Sequence, residues 1–138
     1  MDFPDVSLVL QVGLPSDGDA YTHRVGRTAR AGKDGRAILL LTEMERFYLK
    51  ANPQFPLKPY PTSDSILSDA SASAVNDALK KIDHDVKRKA YSAYIGFMKT
   101  FINKLRLDAD GLVQMANAFA LKGMLCGEVP QIEKKTIA

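Results

Sequence analysis

The apolar positions along this chain of 138 residues change their period about halfway along. Residues 6–12, Val-Ser-Leu-Val-Leu-Gln-Val, and residues 37–42, Ala-Ile-Leu-Leu-Leu-Thr, are short apolar runs bounded by turn formers. Near-continuous hydrophobicity over this length predicts strands buried on both faces, as in a parallel sheet covered by helices. Between the runs, Gly13-Leu14-Pro15-Ser16-Asp17-Gly18-Asp19 supplies chain breakers and then a helix-starting cluster. A helix is therefore predicted from about residues 17–19, through Tyr21, to about Arg27. Together these elements make a βαβ unit with the right-handed crossover expected of one. After the second run, Thr42-Glu43-Met44-Glu45 offers an N-terminal cap with acids in the first turn, opening a helix over about residues 43–50.

Pro53, Pro56, Pro59 and Pro61 then exclude a persistent helix or interior strand and predict a linker or an extended surface crossing over residues 53–65. Beyond it the period is helical. Val75, Ala78, Leu79, Ile82 and Val86 form one stripe; Tyr91, Tyr94, Ile95, Met98, Phe101, Ile102 and Leu105 a second; Leu112, Met115, Ala116, Phe119 and Ala120 a third, closed by Gly123. Core packing between helices is the plain reading of all three. The chain is thus expected to be α/β over residues 1–52 and all-α over residues 66–138.

Composition narrows the class. With 46% hydrophobic and 25% charged residues, the chain is an ordinary globular domain or a small domain with an appendage. No apolar run approaches the roughly 18 residues a membrane span needs, so a soluble chain with no membrane partner is expected. The acid-bearing start, Met1-Asp2-Phe3-Pro4-Asp5, does not suit a signal peptide. One cysteine, Cys126, can make neither an internal disulfide nor a cysteine-based metal site, and no metal ligands are assigned.

The net charge of +3 matters less than its distribution. Residues 1–52 carry seven bases and seven acids, yet between His23 and Arg36 the only acid is Asp34. From Lys87 to Leu107 there are bases at Lys87, Arg88, Lys89, Lys99, Lys104 and Arg106, no acid, and the aromatics Tyr91, Tyr94, Phe97 and Phe101 between them. Two anion-facing regions follow.

The informative string is Tyr21-Thr-His-Arg-Val-Gly-Arg-Thr-Ala-Arg-Ala-Gly-Lys-Asp-Gly-Arg36. On a helix, His23, Arg27 and Arg30 fall at i, i+4 and i+7 and share one face. Two guanidiniums one turn apart present rigid forks of donors that suit the oxygens of a terminal phosphate. Gly26 between them leaves room for another backbone or a ligand. The competing reading of this face is a merely solvated basic surface, and for His23 an ordinary capped or packed histidine.

This string resembles motif VI of the DEAD-box RNA helicases, His-Arg-x-Gly-Arg-x-Gly-Arg, matched by His23, Arg24, Gly26, Arg27 and Arg30, with Ala29 standing where most members carry glycine. Residues 1–6, Met-Asp-Phe-Pro-Asp-Val, resemble the second half of that family's motif V, and the Leu14-Pro15 turn and Tyr21 fit it as well. Residues 114–126, followed by Glu128-Val-Pro-Gln-Ile132, are similar to the helical C-terminal extension of the branch containing fungal mitochondrial intron-splicing helicases and related plant proteins. The resemblance implies a fold and a function. Residues 1–52 would be the C-terminal portion of a second RecA-like domain, a partial parallel sheet with flanking helices, followed by a helical extension over residues 66–138.

It further implies that Arg27 and Arg30 are arginine fingers on the γ-phosphate of ATP, and that Asp2, His23, Arg24 and Gly26 belong to the ATP-binding surface. Mg²⁺ and most of the ATP would be held by the other RecA-like domain. RNA would be the partner, contacted by Lys87, Arg88, Lys89, Lys99, Lys104 and Arg106, and the protein a monomer. As a complete protein it would be an ATP-dependent RNA helicase that couples hydrolysis to duplex unwinding.

No phosphate loop and no Asp-Glu-Ala-Asp string occurs in the chain, so alone it should be inactive. Met1 reads as an internal methionine, and Lys134-Lys135-Thr136-Ile137-Ala138 ends without a capping or breaking signal. A piece of a longer protein is therefore expected. The runner-up is a non-catalytic RNA-binding module whose arginines hold phosphate backbone, and a third reading is an inhibitory fragment that pairs with a helicase in trans. The compartment is not read from these residues; the extension alone suggests the mitochondrion.

Overall fold

A computed structural model describes residues 6–29, 34–61 and 69–132. The chain divides into two compact units, Met1–Pro61 and Thr62–Ala138, the first α/β and the second helical.

In the first unit, β1 (Leu8–Val12) and β2 (Arg36–Leu40) pair in parallel, in register from Leu8 opposite Arg36 to Val12 opposite Leu40. The crossover helix α1 (Gly18–Val25) starts where Asp17 stops the extended chain: its carboxylate accepts the Ala20 N–H at 2.7 Å, satisfying a donor the first turn cannot. That bond, with the Ser16 hydroxyl, holds the Asp17 carboxyl below the usual carboxylate range. Gly13, at φ +79°, takes the left-handed turn that leaves β1, a conformation open to glycine at little cost.

The strands do not have both faces buried. Gln11 is buried and Val9 half-buried, but Leu8, Leu10, Val12 and Leu40 are 50%, 54%, 75% and 47% exposed. One βαβ crossover lays its helix on a single face, and a parallel sheet needs a second helical layer for the other. Among the described residues of this unit none supplies it.

After β2 a 3₁₀ turn (Glu43–Arg46) leads into α2 (Phe47–Ala51), shorter and tighter than the single helix expected. The buried Glu45 carboxylate accepts from both the N–H and the hydroxyl of Thr42, each at 2.8 Å, so the acid three residues on closes the turn. Tyr21 packs against Tyr48 and Phe55, with ring centroids 6.4 and 4.3 Å away, so the first part of the proline-rich segment rides on the α/β unit. Burial raises both tyrosine pKa values, and the buried Tyr48 hydroxyl has no hydrogen-bond partner among the described residues.

The helical unit comprises α3 (Asp69–Lys80), α4 (His84–Lys99), α5 (Ile102–Leu105), α6 (Ala109–Ala118) and a π-helical turn (Phe119–Gly123) that continues α6. The first apolar stripe does not form core. Asp83 accepts the Asp85 N–H at 2.8 Å and starts a new helix, which puts Val86 on α4, and Val75, Ile82 and Val86 stay 54%, 41% and 54% exposed. The second and third stripes do. Tyr91, Ile95, Met98 and Leu105 pack with Leu112, Ala116, Ala120 and Met124, and Tyr94 stacks on Phe119 at 4.2 Å.

The Tyr91 hydroxyl donates to Asn117 Oδ1 at 2.6 Å, giving this buried polar atom a partner. Ala116 and Ala120 are completely buried, so their small side chains set how closely α6 and its continuation approach α4. Ala116→Leu should therefore destabilise the helical unit by about 1–3 kcal/mol through overpacking, read as a lower urea midpoint.

Candidate functional site

The arginine-rich string leaves its helix earlier than its spacing suggests. His23 and Arg24 lie exposed in the last turn of α1, which ends at Val25 with the Gly26 N–H donating to the Thr22 carbonyl at 2.8 Å. Arg27 follows in a turn, its N–H donating to the Arg24 carbonyl at 3.2 Å. Its own carbonyl accepts from Val6 N–H at 3.1 Å, and Thr28 bridges Val6 in parallel.

His23 and Arg27 therefore do not share a helical face. Glycine is a poor helix residue, and the extended strand start at Val6 captures the chain once α1 ends. Arg27 instead sits half-buried against the strand edge ahead of β1. Arg30 and Asp2 lie outside the described residues. At Gly26 the close neighbour is the helix itself, since an added Cβ would stand 3.2 Å from the Thr22 carbonyl oxygen.

Ala29 explains the one departure from the family pattern. It adopts φ +55°, the left-handed region that glycine enters freely. Beyond the turn the chain returns at Gly35, where an added Cβ would overlap the Thr28 hydroxyl and the Ala29 backbone. Gly35 thus lets the two ends of the 28–35 segment touch, beside an open groove lined by Ser7, Asp34, Gly35 and Arg36.

Opposite mutational effects follow. The left-handed region costs a non-glycine residue about 1–2 kcal/mol, of which the greater freedom of unfolded glycine cancels about 0.4–1. Ala29→Gly should stabilise the α/β unit by up to about 1 kcal/mol. Gly35→Ala should destabilise it by about 1–3 kcal/mol. Denaturant midpoints of the two variants test both signs.

The six cations of the helical unit fall into three environments. Lys87 is only 7% exposed and directs its ammonium at the Leu125 carbonyl, 3.4 Å away, so it does not face solvent as the sequence led us to expect. It faces the chain just beyond the π-helical turn, where a cation complements the carbonyl-rich helix end. Arg88 and Lys89 both reach Asp85, at 2.7 and 2.9 Å. Lys99, Lys104 and Arg106 are exposed.

Asp85 lies two residues before the acid-free stretch that begins at Lys87 and supplies the acid that stretch lacks. Its spacing of three and four residues to Arg88 and Lys89 was the available signal. Lys89 and then Arg88 lower its carboxyl from the ordinary 3.8 to about 2. Since the folded value lies below the unfolded one, the pair contributes in full above pH 3.8 and is lost as pH falls to about 2. Asp85→Asn should remove this acid-range component, seen as a flatter pH profile of helical unfolding between those limits.

The helicase conserved C-terminal domain family matches residues 1–32. The mitochondrial ATP-dependent RNA helicase mss116 of Aspergillus oryzae is 53% identical over 99% of this chain and 22% of its own length. The protein of the same description from Phaeosphaeria nodorum is 48% identical over 99% of the chain and 25% of its own. DEAD-box ATP-dependent RNA helicase 26 of Arabidopsis thaliana is 34% identical over 99% and 16%. The chain therefore spans at most about a quarter of the length of these relatives. No solved structure matches it.

Proposed function

We propose that this chain, which is similar to DEAD-box helicases over their C-terminal portion, is the part of an ATP-dependent RNA helicase that completes the nucleotide pocket and adds RNA contacts. The observation that carries this reading is the Arg24–Arg27 turn tied by main-chain bonds to the strand edge at Val6, within a string that matches the family's arginine motif. Fixing the backbone on a strand limits how far the guanidinium can wander, and a preorganised fork suits a terminal phosphate better than a mobile one. Arg27 is assigned to the γ-phosphate of ATP, and Arg30 with it. His23 and Arg24 stand at the edge of the same pocket, with Gly26 closing the turn that positions them and Asp2 near the nucleotide.

These are donors to an anion, and they fit a nucleotide phosphate. Among the described residues no three His, Cys, Asp or Glu side chains converge on a point. Mg²⁺ is assigned, on the family resemblance, to the other RecA-like domain together with the phosphate loop, and the 138-residue chain, which has no phosphate loop, should alone hydrolyse no ATP. Its RNA contacts are assigned to the exposed cations of the helical unit, Lys99, Lys104 and Arg106, with Arg88 and Lys89 available once Asp85 is displaced. Lys87 is left to structure. The protein acts as a monomer, and in the mitochondrion, the compartment that the names of the Aspergillus and Phaeosphaeria relatives give.

The test is a chimaera in which this chain replaces the matching portion of the Aspergillus relative. RNA-stimulated ATPase activity should survive the exchange. Arg27→Ala should then lower kcat by about 10³-fold or more, the scale of an arginine finger. Arg27→Lys should recover little, because a point charge does not reproduce the planar fork. Retained activity in Arg27→Ala would overturn the assignment. A chimaera that binds RNA without hydrolysing ATP would favour the non-catalytic module.

A further inference from the structure

We propose that Phe55 is a positioning residue for the arginine turn: its ring holds Tyr21 in place, fixes the rotation of α1 about its own axis, and so sets the direction in which Arg27 leaves the chain. The proposal rests on the assignment of Arg27 to the γ-phosphate and adds a residue of the proline-rich segment to that site.

α1 has eight residues, fewer than an isolated helix needs to persist in water, so tertiary contacts place it. Only Tyr21 among them is buried. Its ring lies between Tyr48 and Phe55, with centroids 6.4 and 4.3 Å away. Gly18, three residues earlier on the same face, leaves room for the Phe55 ring, since an added Cβ would stand 3.5 Å from Phe55 Cζ and 3.8 Å from Asn52 Oδ1. Phe55 thus lies against two successive turns of α1.

The segment that delivers Phe55 is fixed in its own right. Asn52 Nδ2 donates to the Tyr48 carbonyl at 2.9 Å, and Asn52 Oδ1 accepts from Gln54 Nε2 at 3.2 Å. The Phe55 N–H donates to the Asn52 carbonyl at 3.2 Å and the Leu57 N–H to the Phe55 carbonyl at 2.8 Å. Pro56 keeps Phe55 out of the helical region, so the ring is presented from a turn. A segment that only joined two units would need neither the turn nor the ring.

Arg27 stands beyond the other end of α1. Its N–H donates to the Arg24 carbonyl in the last turn of the helix, and its own carbonyl accepts from Val6. The Val6 side is fixed by the strand edge; the Arg24 side moves with the helix. Hydrogen bonds at the ends of α1 leave its rotation about the axis open, and a ring held off the axis closes it. Once Phe55 is truncated, Tyr21 can turn into the vacated space and α1 with it, tilting the Arg27 peptide about its Val6 bond.

The experiment is made in the chimaera with the Aspergillus relative, with RNA-stimulated ATP turnover read well below the unfolding transition of each variant. Phe55→Ala should lower kcat about tenfold, within the roughly 10²-fold that an ångström of misplacement costs. The KM for ATP should stay within about twofold, because a group acting on developing charge is missed in the transition state and not in the ground state. Phe55→Leu, which keeps apolar bulk against Tyr21, should recover most of the loss. In an Arg27→Ala background Phe55→Ala should lower the residual kcat no further, because Arg27 is the group through which it acts. A Phe55→Ala chimaera that unfolds at a lower midpoint yet turns over at the parent kcat overturns the positioning role alone, and so do losses that multiply in the double variant. Parent activity in Arg27→Ala overturns the reading beneath it.

Discussion

Two main-chain links between the strand start at Val6 and the turn at Arg27 and Thr28 organise the α/β unit. Without them the chain leaving α1 would be an exposed loop carrying an arginine with many rotamers. With them, Arg27 is anchored at a peptide already fixed in the sheet direction, and its freedom reduces to its own side-chain torsions. Under the proposed assignment of Arg27 to a nucleotide phosphate such anchoring matters, because orientation lost before the reaction is not lost again during it. Gly35 and Ala29 serve the same arrangement, the first by letting the returning chain approach, the second by taking the left-handed turn at a cost.

The α/β unit also shows what it lacks. A two-stranded sheet is marginal in water, and here one apolar face stays open while the buried Gln11 amide and Tyr48 hydroxyl find no partner among the described residues. The chain spans at most about a quarter of the length of the fungal relatives. The helical unit is different in kind. Its Tyr91 hydroxyl is satisfied at Asn117, Tyr94 stacks on Phe119, and Ala116 and Ala120 are completely buried.

Much of this was legible in the residues. Alternation of strand and helix signals placed β1, α1 and β2, and Asp17 began its helix as a capping acid should. The two helical stripes around Tyr91 and Leu112 became core. Illegible were features set by competition between local and distant contacts. Periodicity ran Arg27 on into the helix, because the pull of Val6, some twenty residues earlier, leaves no local trace. The stripe from Val75 to Val86 matched a helical period, yet the Asp83 cap cut it in two. Lys87 carried the charge of a solvent-facing residue and was buried, its ammonium turned to a carbonyl that follows a π-helical turn no pattern announces.

The proposed function requires the turn anchored at Val6 to present Arg27 to a nucleotide completed by another domain. The most direct measurement is a structure of the chimaera with the Aspergillus relative, bound to single-stranded RNA and a non-hydrolysable ATP analogue. The Arg27 guanidinium should lie within hydrogen-bonding distance of the terminal phosphate while its carbonyl still accepts from Val6. A guanidinium turned to solvent or paired with an internal carboxylate in that closed state would contradict the claim.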